Sequence, residues 1–217
     1  MRWSAALPLL ALALSAAASA QAKSPLSDVD DPIIGSYKAR GLAAEVTEAN
    51  CGGGSYSVQN SPDGTSISVL FDNFTASGAQ AMAGSAHTNC VVQIPLNLPA
   101  GYSLGVFRMD YRGFAHLDVG QSALLSVDYG VGRQGRGRNF HRGVRGGYDG
   151  DFVFSENLGA GLMKRAGCGE AAALNMTAAL DLRSNGGSQD ALVTLDSVDG
   201  AARGGVVFGV DLKKCRN

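Results

Sequence analysis

The sequence predicts an all-β protein, a single-domain antiparallel β-sandwich of jelly-roll-like order stapled by two disulfides. Three observations predict it. Apolar and polar side chains alternate with a period of two over most of residues 55–212, the pattern of strands with one buried face. Turn residues such as Pro62-Asp63-Gly64 and Pro99-Ala100-Gly101 punctuate these runs at short intervals. Four cysteines, an even number, follow an export leader and read as two bridges.

Residues 1–20 have the build of a signal peptide. Arg2 gives a positive start, residues 5–14 are apolar but too short to span a bilayer, and Ala18-Ser19-Ala20 is a small-x-small cleavage site. Its removal takes away Trp3, the single tryptophan, and Arg2, the one charged residue before Gln21, so the formal charge moves from -1 to -2. A charge that small gives no global pull toward nucleic acid or membrane. About 197 residues remain, enough for one domain with a substantial core. Residues 21–44 lack periodicity and read as an extended leader. Their Asp28, Asp30 and Asp31 fit a solvated acidic tail better than a calcium site.

The β-sandwich is expected over 45–217. Tyr56 and Val58, then Ile67, Val69 and Phe71, alternate with polar residues on either side of the 62–64 turn and predict a hairpin. Residues 76–88 read as a small-residue loop. Cys90, Val92, Ile94, Leu96 and Leu98 share one face of the next strand, and Pro95, which has no N–H to give, places it at a sheet edge or turns its own bond outward. From Tyr102 to Tyr111 apolar residues fall on both parities, predicting a strand covered on both faces. Arg112-Gly113 is read as a break before a further strand at 114–119. Ala123, Leu125, Val127, Tyr129 and Val131 line another strand.

Residues 132–150 hold so many glycines, with Arg133, Arg136, Arg138, Arg142 and Arg145 repelling one another, that a long mobile loop is expected. Phe152 and Phe154 restart a strand. Residues 171–183 have helical composition, yet strict alternation from Ala172 to Leu182 predicts strand. Asn185-Gly186-Gly187 and Asp199-Gly200 are turns around a strand at 191–198, and Val206, Phe208, Val210 and Leu212 close the chain before Cys215. The cysteines admit three pairings; Cys51 with Cys90 and Cys168 with Cys215 is preferred, because each pair then brackets one block of strands. Loops of that size are each worth about 4 kcal/mol in the chain-entropy account.

The order of a cysteine, Ser61-Pro62-Asp63-Gly64-Thr65 before Val69-Leu70-Phe71-Asp72, Asn89-Cys90, Asp110-Tyr111-Arg112-Gly113 with Leu117-Asp118, Cys168-Gly169 and Lys214-Cys215 resembles the secreted four-cysteine family known as domain of unknown function 4360. The similarity covers about residues 45–215. It implies an extracellular β-rich protein of a kind found in fungi and bacteria, with no established activity. The Arg-rich segment and His116 depart from the family pattern, which is Ser/Thr-rich and uncharged at those places.

No complete catalytic or cofactor motif is present, and no cofactor or metal is expected. The densest polar set is Asp110, Tyr111, Arg112, His116 and Asp118. Around a hairpin Asp110 and Asp118 would approach as the paired carboxylates of a glycoside hydrolase; the preferred reading is structural, with Arg112 pairing one of them. His87, His116 and His141 stand at neither metal nor triad spacing, so His116 reads as a hydrogen-bonded wall residue. Gly130-Val131-Gly132-Arg133-Gln134-Gly135 matches a dinucleotide fingerprint formally but precedes no helix. The five arginines, interleaved with Phe140, His141 and Tyr148, suit a polyanion, against the plainer reading of a solvated loop. Asn73-Phe74-Thr75 and Asn175-Met176-Thr177 are candidate glycosylation sequons.

The functional expectation is a secreted, non-enzymatic extracellular or cell-wall-associated protein acting by surface contact. A carbohydrate-binding module is the alternative, with extracellular polysaccharide or a cell-wall component as partner and no role for nucleic acid or membrane.

Overall fold

A computed structural model of the chain describes residues 51, 54–81, 84–132, 137–159, 165–169, 172–184, 189–195 and 204–216. The signal peptide at 1–20, the leader at 21–44, Arg133 and Arg136, and the turns at 185–187 and 199–200 lie outside the described residues. Among those described, the strands are β1 Ser55–Asn60, β2 Ser66–Asp72, β3 Thr75–Ser77, β4 Ser85–Leu96, β5 Tyr102–Leu117, β6 Ser122–Val131, β7 Arg138–Arg145, β8 Tyr148–Asn157, β9 Arg165–Gly167, β10 Ala172–Arg183, β11 Leu192–Thr194 and β12 Gly205–Lys214. All pair antiparallel in two sheets. The larger runs β1-β2-β12-β5, with β11 and β3 beyond the end of β12 and with β8 and β9 along the other edge of β5; the smaller runs β4-β10-β6-β7.

The chain crosses between the sheets repeatedly, and short connections make two of the crossings: residues 118–121 lead from β5 in the large sheet to β6 in the small one, and Gly146-Gly147 lead from β7 back to β8 in the large one. Inward residues of both sheets form one core, with Ile67, Leu104, Met109, Tyr111 and Phe208 from the large sheet meeting Ile94, Leu174, Met176, Leu180 and Leu182 from the small one. All ten are buried, and each contributes about 1.5–3 kcal/mol relative to leaving it in water. Tyr111 and Phe140 stack across the layers with ring centroids 4.2 Å apart.

Cys51 bonds Cys90, and Cys168 bonds Cys215, the preferred pairing. Cys90 shares the inward parity of Val92 and Ile94, so the first bridge is a core contact. The second ties β9 to the end of β12 beside the 99–102 turn, where Cys168 N–H and Cys215 N–H donate to the carbonyls of Tyr102 and Gly101, each at 2.8 Å. β4 is an edge strand, which satisfies the constraint set by Pro95. Residues 172–183 are strand, paired along β10 with β4 and β6 on its two sides.

The structure corrects four expectations. The loop expected at 76–88 holds the end of β3, a single 3-10 turn at Gly78–Gln80 and the first residues of β4. The mobile loop expected at 132–150 is largely ordered: β7 starts at Arg138, and only a short connection at Gly146-Gly147 separates it from β8. Glycine works there by allowing close approach, since a Cβ on Gly146 would meet the Asp118 carbonyl oxygen at 1.9 Å. Arg138, Arg142 and Arg145 are spread along the extended strand β7, which relieves the repulsion among them that argued for a loop.

Two further corrections concern β5, which runs unbroken through Arg112-Gly113. At Gly113 a side chain would meet the Thr194 carbonyl oxygen at 2.1 Å and the Phe152 ring at 2.7 Å, so glycine marks a crowded point within the strand. The mixed parity of its apolar residues comes from a bulge. Arg108 pairs with Gly209 and Val106 with Val210, leaving Phe107 without a partner on β12. The inward set therefore switches from Leu104 and Val106 to Met109 and Tyr111, while Phe107 is exposed.

Continuity through Gly113 carries an expected outcome. Gly113→Ala loses about 1–3 kcal/mol in urea denaturation by forcing β11 and Phe152 apart, whereas Arg112→Ala, at an exposed position, changes stability by less than about 0.5 kcal/mol.

Candidate functional site

The polar residues singled out in the sequence do not converge. Asp110 faces the solvent side of the large sheet but is nearly covered: Arg108 Nε and Nη2 each lie 3.0 Å from its Oδ1, and Ser155 Oγ donates to the same oxygen at 2.5 Å. Tyr111 points the other way, into the core, where burial pushes its phenol well above the usual range, with the Glu156 carboxylate adding to the effect. Arg112 is exposed. Asp118 lies past the end of β5, eight residues of extended chain from Asp110 and so roughly 26 Å away. Carboxylates that far apart cannot act on one glycosidic bond. Nor does Arg112 pin them, because the Asp110 partner is Arg108, two residues along the same face.

His116 is a hydrogen-bonded surface residue. Its Nδ1 sits 3.1 Å from Oδ1 of Asp149, directly opposite on β8. The Asp149 hydrogen bond raises its pKa above the ordinary 6.5 against an opposing desolvation, with the charges of Asp149, Asp118 and Asp190 adding to the rise.

The arginines of the glycine-rich segment also part company. Arg138 faces inward, 3.3 Å from Glu156 and off the line of a hydrogen bond. Arg142 lies over the Phe140 ring at 5.0 Å. Arg145 has the opposite parity and faces the solvent side of the small sheet. Glu156 is a residue sequence reasoning missed. It receives the Tyr129 hydroxyl at 3.1 Å and ties β6, β7 and β8 together from inside. Burial and Glu156 together keep the Tyr129 phenol protonated well above its usual range. The inward parity of Phe152 and Phe154 is the signal that would have found it.

One arrangement with room for a ligand among the described residues is the solvent face of the small sheet. A hollow of about 770 Å³ is lined by Ser85, His87, Leu124, Arg145, Asp181 and Arg183 among others. A second, of about 250 Å³, lies farther along the same face beside Gln93, Asp128, Asn175 and Thr177. Strand pairing fixes the rows that cross this face. Ser85, Arg183, Ser122 and Arg145 stand side by side, as do His87, Asp181, Leu124 and Gly143, and farther along Val91, Thr177, Asp128 and Asn139.

The trough is rich in amides and hydroxyls, with two exposed aliphatic patches at Leu124 and Val91. His87 Nδ1 meets Asp181 Oδ1 at 2.7 Å, Asn139 donates to Asp128 at 2.6 Å, and His141 contacts the Ser126 hydroxyl at 3.0 Å. Its two carboxylates, Asp181 and Asp128, stand about four residues apart along the strands and one strand across, roughly 14 Å. That exceeds both separations used by paired-carboxylate glycosidases, at most about 9.5 Å. Asn175, on this outward face, donates to the Gly132 carbonyl at 3.3 Å. Among the described residues no His, Cys, Asp and Glu cluster suits a metal ion, and no helix is long and apolar enough to cross a membrane.

Comparison with known proteins gives one family. The family described as domain of unknown function (DUF4360) matches residues 49–215. An uncharacterized secreted protein of Arthroderma benhamiae is 27% identical over 150 residues, 69% of this chain, and the match spans only 61% of that relative. Among solved structures, TmCBM61 in complex with beta-1,4-galactotriose overlaps 79% of this chain and 91% of its own at 12% identity and a TM-score of 0.29. The enzymatically active domain of bacteriophage CBA120 tailspike protein 4 overlaps 80% of this chain and 20% of its own at 11% identity and a TM-score of 0.28. Overlaps that shallow bear on neither mechanism nor ligand.

An NMR titration of His116 checks the geometry of the large sheet. Its midpoint falls above 6.5, and Asp149→Asn lowers it toward the ordinary value. Because the folded pKa is the higher one, the stabilisation from this pair is complete at pH below 6.5 and disappears as pH rises through the folded value.

Proposed function

This chain belongs to the family of domain of unknown function 4360, and on that premise we propose that it is an exported, non-enzymatic β-sandwich that binds extracellular or cell-wall polysaccharide by surface contact. The observation that carries this reading is the trough on the small sheet. It is long, open and shallow, as an extended polymer requires, and its outward side chains are mostly hydroxyls, amides and short aliphatics. Such groups exchange hydrogen bonds with sugar hydroxyls and cover their apolar faces at modest cost, although without a tryptophan platform.

Support for a binding rather than hydrolytic role comes from the carboxylates. Asp181 is engaged by His87 and Asp128 by Asn139, and the two are too far apart to share a glycosidic oxygen. Export is supported by the leader sequence, by the two disulfides and by the secreted relative.

Incubating the purified domain with a panel of insoluble and soluble glycans tests the reading. Retention without released sugars is the expected result. Ala179→Trp, at a half-buried position in the middle of the trough, abolishes retention without changing the melting temperature, whereas Arg112→Ser on the opposite sheet leaves it intact. Released oligosaccharides, or retention unaffected by Ala179→Trp, would overturn the proposal.

A further inference from the structure

We infer that one end of the trough is an anion site, where Arg145 and Arg183 take a carboxylate carried as an isolated uronate on an otherwise neutral polysaccharide. This rests on the trough being a polysaccharide site and names the class of polymer. Arg183 on β10 and Arg145 on β7 flank Ser122 on β6 in one row, so their Cα atoms are two strand spacings apart, about 10 Å. Both are exposed, both line the 770 Å³ hollow, and side chains of that length can converge over Ser122. Ser85, beside Arg183 on β4, adds a second hydroxyl to the same row. Two planar guanidinium forks with the Ser122 hydroxyl between them suit a carboxylate, which accepts two parallel N–H bonds from one fork and single N–H bonds from the other on its remaining lone pairs.

The other charges on this face say what kind of polymer fits. On the outward face Asp181 stands two residues from Arg183, and its carboxylate is already paired with His87 at 2.7 Å. No ion pair or hydrogen bond to the side chain of Arg145 or Arg183 is seen among the described residues. Among the outward side chains of the sheet at this end, two guanidiniums stand against the one carboxylate of Asp181. Asp128 stands roughly 20 Å farther along, six residues from the Arg183 row, and a second anion there would meet a like charge. A chain with an acid on every sugar is thus disfavoured, and a neutral backbone with sparse carboxylates is preferred. The Asn175, Gln93 and Thr177 side chains of the second hollow then face uncharged sugar.

The test compares glucuronoxylan with the same polymer after chemical reduction of its carboxylates to alcohols, using affinity electrophoresis and calorimetry at low and physiological salt. The wild-type domain is expected to bind the native polymer roughly tenfold or more tightly than the reduced one, as a charge-assisted contact of this kind implies. That preference shrinks as salt screens an exposed pair of cations. In Arg145→Gln and Arg183→Gln the ratio of native to reduced affinity falls toward one. Polygalacturonate, acidic at every sugar, binds more weakly than glucuronoxylan. Equal wild-type affinity for native and reduced polymer would overturn this inference while leaving polysaccharide binding intact. Stronger binding to polygalacturonate would overturn the sparse-carboxylate assignment, and binding to none of the three polymers would count against the trough reading itself.

Discussion

The register of β10 is the constraint on which the rest of the structure depends. This strand is central in the small sheet, paired residue for residue with β4 from Ala172 to Arg183 and with β6 from Leu174 to Arg183. Because side chains alternate sides, one register puts Leu174, Met176, Ala178, Leu180 and Leu182 into the core and Asn175, Thr177, Asp181 and Arg183 onto the trough. A slip of one residue would exchange the two sets, exposing the core and burying two charges. Core and outward trough are therefore specified by the same pattern, and neither can drift without the other.

The large sheet depends on β5 in a comparable way. It pairs with β12 and β11 on one side and β8 and β9 on the other, so a register change within it must be absorbed locally. The bulge at Phe107 does that, re-aiming the strand so that both of its halves present apolar residues to the core. At the end of β7 and β8 away from their connection, Glu156 joins Tyr129 and Arg138 between the sheets. Removing the carboxylate would leave a phenol and a guanidinium short of a partner, the kind of loss that costs more than the bond itself contributes. The Cys51–Cys90 bridge fixes the chain entering β1 to the inward face of β4.

Much of the fold was legible because a period of two is a local property. Val127, Met176 and Phe208 announce their strands without reference to anything distant, and alternation correctly outweighed helical composition in 172–183. Glycine was the misleading signal. Gly113 and Gly146 read as breaks in isolation, yet each is glycine because another backbone passes close by, a fact that exists only in the folded molecule. The parity switch at Phe107 was misread for a similar reason, since a bulge and a strand buried on both faces leave the same trace in sequence. The outward face of the small sheet was legible only in part. Asp181 and Arg183 lie on the outward parity of a strand the sequence identified, whereas His87 and Arg145 fall in segments it read as loops, and the adjacency of all four requires the strand order β4-β10-β6-β7, which spans about a hundred residues of chain and which no short motif encodes.

Cross-strand proton contacts in the isotopically labelled, oxidised domain test the register most directly. Backbone contacts are expected to place Ala178 opposite Cys90 on one side and Val127 on the other, with Leu180 opposite Thr88 and Leu125. Helical contacts between residues three apart in 172–183, or Ala178 facing Val91 or Asp128 instead, would contradict both the core and the trough.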